Sequence, residues 1–178
     1  MADPIAPELD AQNTRVGVTG AVYVGESGAT APTSATAAVT GHKGLGYINE
    51  DGVEETLDRS VDKLKAWQNA AVVRTVVTEA ALSYKFIMIE ETADTVGLFY
   101  STTVDTATGK VVIDPGATSG PLPFVIDVID GTDVIRAVFT GEVGETEAIT
   151  YASGELIGYG VTVNVIGKVT KYYTSLIE

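Results

Sequence analysis

The sequence predicts an all-β protein: an antiparallel β-sandwich or partly closed barrel with one short helix and long loop and arm extensions. Three observations predict it. Several segments alternate apolar or β-branched residues with polar ones at the period of a strand. One stretch alone, residues 92–100, spaces its apolar residues as a helix does. Turn pairs such as Asp51-Gly52 and Asp130-Gly131 separate the alternating runs. With 178 residues the chain reads as a single domain able to bury a core.

Taken in order, residues 1–15 are polar, with Pro4 and Pro7 opposing regular structure, and read as an arm. Residues 16–24 (VGVTGAVYV) predict a first strand. Residues 25–44 are nearly all Gly, Ala, Ser, Thr and Pro, which predicts a flexible loop. Residues 45–91 organise the rest of the chain. They open with an Asp51-Gly52 turn and run as two long extended segments joined at Gln68-Asn69, a long antiparallel hairpin. A strand from Val53 to Trp67 would reach on the order of 45 Å, against a usual ~17–20 Å, and outreaches a small domain.

Strand alternation puts Thr56, Asp58, Ser60 and Asp62 on one face of the ribbon and Leu57, Arg59, Val61 and Lys63 on the other. Neither face is cleanly apolar, which suggests that neighbouring subunits or a wet channel complete the surroundings. The returning segment aligns Leu82, Tyr84, Phe86 and Met88 on one core face. Helical residues 92–100 begin with Thr92 as N-cap and Asp94 in the first turn. A turn-rich connection, residues 102–120, leads to strands expected at 124–129, 133–139, 145–151 and 156–165, the first two joined by a tight Asp130-Gly131 turn. Residues 168–178 read as a C-terminal tail.

Composition removes most chemistry. Without Cys and with His42 alone, the chain offers no disulfide, thiol nucleophile or multi-histidine zinc site. Net charge is −13, the wrong sign for gripping a phosphate backbone. No apolar run approaches the ~20 residues that span a bilayer, and the first ten residues lack an export pattern, so no membrane partner is expected. Asn49-Glu50-Asp51-Gly52 lacks the first and last ligands of a calcium loop. Gly109-Lys110 lacks the upstream glycine of a phosphate loop, and Ser27 forms no nucleophile elbow. Neighbouring carboxylates such as Glu54-Glu55, Glu90-Glu91 and Glu142 with Glu145 and Glu147 are expected as solvated faces in so acidic a chain. The expectation is a non-catalytic protein without cofactor or metal. Trp67, at the hairpin tip beyond reach of a domain core, is expected in an intersubunit contact.

A succession of runs adds a resemblance. Residues 19–24 (TGAVYV), 31–33 (APT), 45–53 (LGYINEDGV), 65–68 (KAWQ), 72–76 (VVRTV), 86–92 (FIMIEET) and 154–156 (GEL) together resemble the major tail tube protein of long-tailed, non-contractile (siphovirus-type) bacteriophages of actinobacteria. The resemblance implies a structural virion protein, assembled in the host cytoplasm, that forms stacked hexameric rings and so the tail tube. It implies an acidic-lined conduit through which double-stranded DNA passes transiently and without specificity. Its partners would be further copies of itself, the tape measure protein inside the tube, and tail terminator and tail tip proteins. The long hairpin would contribute to an inner barrel, with residues 1–15, 25–44 and the tail after Gly167 as connectors ordered on assembly. On that reading Thr56, Asp58, Ser60 and Asp62 face the lumen, and Trp67, Gln68, Tyr47 and Arg74 contact neighbouring subunits. The alternative is an acidic β-sandwich module for capsid decoration or cell-surface binding, with a sharper core alternation and little ring formation. A carboxylate-pair glycosidase is a more distant one, and sheath or baseplate-hub relatives a nearer one.

Overall fold

The alternating segments come together as one antiparallel sheet. The computed structural model describes residues 10–177. In chain order the strands are β1 (Thr19–Gly25), β2 (His42–Gly44), β3 (Ile48–Lys65), β4 (Val72–Met88), then helix α1 (Ala93–Tyr100), β5 (Val104–Asp105), β6 (Lys110–Val111), β7 (Leu122–Asp130), β8 (Asp133–Thr146) and β9 (Tyr159–Tyr173). Seven of them form the sheet in the order β2-β1-β7-β8-β9-β4-β3, and β5-β6 is a separate small hairpin. The antiparallel all-β class with one short helix is therefore as expected. The sheet curls without closing into a barrel, since its two ends, β2-β1 and β3, share no ladder.

Curling brings distant strands to one core. Val22, Phe86, Met88, Phe124, Val161 and Val163 are all buried in it. Phe139 lies between Tyr84 and Phe124, with ring centroids 4.7 Å and 5.6 Å away. Helix α1 closes this side: Leu98 and Phe99 are buried, and Phe99 meets Tyr159 edge-on at 5.5 Å. Thr92 caps the helix as its sequence foretells, its Oγ1 accepting from the Thr95 N–H at 3.1 Å. Ser101, at φ 52° in the left-handed region, ends it.

Several boundaries differ from expectation. The tight hairpin forms where expected, but its two loop residues are Gly131-Thr132, with Asp130 still in β7 opposite Asp133. Asp51-Gly52, by contrast, is not a turn that opens a hairpin. It lies in a bulge of β3, where the register jumps between Ile48 and Val53 and Gly52 takes φ +69°. No separate strand covers 145–151: β8 runs on to Thr146, opposite Val161, and the chain then leaves the sheet. The last strand starts at Tyr159 rather than 156 and continues through 168–173, where Tyr173 pairs with Ile135. The part of the expected tail up to Tyr173 is thus strand, because β8 is long enough to offer it partners. Of the expected arm, residues 1–9 lie outside the described residues. Residues 11–13 form a 3-10 turn capped by Asp10, and Arg15 pairs with Asp133 at 2.8 Å.

Candidate assembly surfaces

The ribbon β3-β4 is the longest feature of the molecule, and its register sets its faces. β9 pairs with β4 only from Ser83 to Met88, so beyond Ser83 the two strands continue alone. From Leu57 to Lys65 that free portion extends roughly 30 Å at ~3.3 Å per residue. Thr56 lies opposite Ser83, Asp58 opposite Ala81, Ser60 opposite Glu79 and Asp62 opposite Val76, all on one face. The other face carries Leu57 with Leu82, Arg59 with Ala80, Val61 with Val77 and Lys63 with Thr75. It runs on into Val53 with Phe86, the core side. One extra residue, Thr78, bulges between Val77 and Glu79 and donates its hydroxyl to the Ser60 carbonyl at 3.2 Å. The bulge keeps the faces in step, so Thr56, Asp58, Ser60 and Asp62 lie together on the side away from the core.

Trp67 stands at the tip, 97% exposed. Gln68 and Arg74 are exposed beside it, whereas Tyr47, also exposed, lies at the opposite end of the ribbon. The structure therefore splits the four expected contact residues into a tip group and a root residue. β3 is also the edge of the sheet along its entire length, with no strand on its outer side among the described residues. A long exposed edge is a template for pairing with another chain.

The sequence reading missed a buried ion pair that anchors the loop after β1. Asp127 and Arg136 face each other across β7 and β8, each about 95% buried. The guanidinium donates Nε to Asp127 Oδ1 at 2.6 Å and Nη2 to Oδ2 at 2.7 Å. Its Nη1 donates to the Ser34 carbonyl at 3.0 Å and the Ala37 carbonyl at 2.5 Å. The carboxylate holds the Arg136 pKa above its ordinary value. Residues 25–44, expected as a free loop, are thus tied down at their centre, with Ala35 buried and His42–Gly44 paired as β2. No local signal marked the pair: a two-residue turn on Asp130-Gly131 would set Asp127 opposite Val134, and only with Gly131-Thr132 as the loop residues does Asp127 face Arg136.

Other ionic contacts brace the root of the ribbon. Lys85 on β4 reaches Glu147 at 2.5 Å, and Lys171 on β9 pairs with Glu55 on β3. Tyr159 donates its hydroxyl to Glu91 Oε2 at 2.9 Å, and burial with this carboxylate pushes its pKa from 10.0 up to about 12. Among the described residues no three His, Cys, Asp or Glu side chains gather as a metal site, and no helix is long and apolar enough to cross a membrane.

The described residues thus form a curled sheet with a bare, projecting ribbon and a loop anchored by Arg136. The chain belongs to the phage tail tube protein family, whose profile matches residues 7–177. It is a structural protein of the virion tail, not an enzyme. No curated protein sequence matches significantly. Among solved structures, a chain from the tail of an empty gene transfer agent particle, determined by helical refinement with C6 symmetry, is similar at 8% identity and TM-score 0.47, covering 84% of this chain and 92% of that one. A chain of the native gene transfer agent virion is similar at 9% identity and TM-score 0.43, covering 75% and 88%.

Proposed function

We propose that this subunit forms hexameric rings that stack into the tail tube, a conduit first for the tape measure protein and then for double-stranded DNA. The observation that carries the reading is the ribbon β3-β4: an edge along its whole length, with no core of its own beyond Ser83. Edge pairing between copies would satisfy the free backbone groups of β3 and close the wall that one curled sheet leaves open. The face bearing Thr56, Asp58, Ser60 and Asp62 turns to the lumen. At −13 per subunit, six copies carry six times that, −78, and a wall sharing this charge repels phosphates and lets DNA slide. Residues 1–15, 25–44 and the chain end after Tyr173 link successive rings, with terminator and tip proteins capping the tube.

Electron microscopy of the purified protein tests this, with annular or tubular particles as the expected result. In a reconstruction, Asp58 and Asp62 line the channel, and particles carrying Asp58→Lys with Asp62→Lys release DNA more slowly. A monomer at every concentration, or a reconstruction with Asp58 and Asp62 on the outer wall, defeats the reading.

A further inference from the structure

The ribbon tip is basic in a chain that is acidic as a whole. Residues 63–78 hold Lys63, Lys65 and Arg74 and no acidic residue. The tip is thus +3, and the remaining residues carry −16, which is −13 less +3. Around Trp67 the tip also exposes Leu64, Val72, Val73 and Val77, each at least half accessible. A basic, apolar, aromatic knob on an acidic body has its complement on another copy of that body.

The complement lies at the other end of the ribbon. The open seam between β1 and the start of β3 is a cavity of about 610 Å³. Its lining includes the exposed apolar Val18 and Tyr47, with Glu50, Asp51 and Glu90 supplying acid. An indole fits this volume. Trp67 cannot enter the seam of its own chain, because β3 separates them by roughly 55 Å at ~3.3 Å per residue.

We infer that Trp67 of one copy inserts into the seam between β1 and β3 of a neighbouring copy, with Lys65 and Arg74 facing Glu50, Asp51 and Glu90 of that neighbour. The contact joins two different patches, so each copy gives a tip and receives one, and repetition generates a ring or a helical stack. A nucleic acid is the poorer occupant of the tip, because the −16 behind it repels phosphate.

The inference rests on the assembly proposed above and adds its docking geometry. Trp67 is the only tryptophan, so intrinsic emission reports this site alone. Emission is expected to move from that of a hydrated indole toward the blue as concentration passes the assembly threshold, and to move back in high salt. Trp67→Ala leaves the fold intact, as the side chain touches no core, and raises the threshold at least about tenfold, the loss of an interface hot spot. The chain lacks cysteine, so Tyr47→Cys with Gln68→Cys tests the contact directly: oxidation gives disulfide-linked ladders between copies in assembled material. Assembled tubes in which Trp67 stays hydrated and the two cysteines do not cross-link overturn this contact while leaving the tube intact. Absence of any assembly overturns both. A blue shift on adding duplex DNA to the unassembled subunit at low salt makes nucleic acid the occupant and rejects the second copy.

Discussion

Replacing Arg136 by Met keeps a long side chain in the slot between β7, β8 and the 25–44 loop but removes the guanidinium. Asp127 then sits 5% exposed with no cation, and the Ser34 and Ala37 carbonyls lose their donor. Breaking a buried ion pair from one side costs about 3–5 kcal/mol, because the stranded charge cannot recover its hydration. For a domain of this size each kcal/mol moves Tm by about 2–4 °C, so Arg136→Met should melt roughly 6–20 °C lower. Urea unfolding followed by circular dichroism measures the loss, and limited proteolysis should find new cleavage between residues 26 and 41. Pairing the change with Asp127→Leu removes the stranded carboxylate and restores most of the stability, leaving a deficit of about 1–2 kcal/mol for the two loop carbonyls. A single variant within about 1 kcal/mol of the parent, or one with an unchanged cleavage pattern, refutes the claim that this pair anchors the loop.

Tyr159 supplies a pH dependence. Its folded pKa is raised from 10.0 to about 12, so the native state holds its proton longer than the unfolded chain, and the stability it contributes is present below pH 10 and lost as pH climbs toward 12. Urea midpoints across that range should fall with pH, and Tyr159→Phe should flatten the slope; an unchanged slope contradicts the assignment. Thr92→Ala should cost about 1–2 kcal/mol, because it strips the cap from the Thr95 N–H and leaves the buried Thr95 hydroxyl without its 2.9 Å partner. Equilibrium unfolding checks this, and an effect under about 0.5 kcal/mol would show the helix start is held by packing alone.

The ribbon was legible because everything that makes it is local. Alternation over 56–63 assigns faces, and the structure keeps Asp58 and Asp62 opposite to Leu57 and Val61 even past the bulge at Thr78. The cap at Thr92 and the place of the tight turn after Asp130 were legible for the same reason, since each is decided by residues within a few positions. The seam was not, because it joins β1 to β3 across the open ends of the sheet. Nor was the extent of β9: residues 168–173 look like a polar tail, and only the length of β8 draws them into a strand.

By itself the sequence determined an acidic, antiparallel all-β chain with one capped helix and an overlong hairpin, because charge, period and turn chemistry are properties of neighbouring residues; its likeness to a tail tube family lay in a succession of matching runs and not in those properties. Tertiary structure alone decided that the sheet curls without closing, that Asp127 and Arg136 hold the loop, and that the basic tip and the acidic seam stand at opposite ends of one ribbon. Those features depend on which strands become neighbours, and strand order is chosen by the burial of Phe86, Phe124, Phe139 and Val161 in a common core, a sum over the whole chain that no local pattern contains.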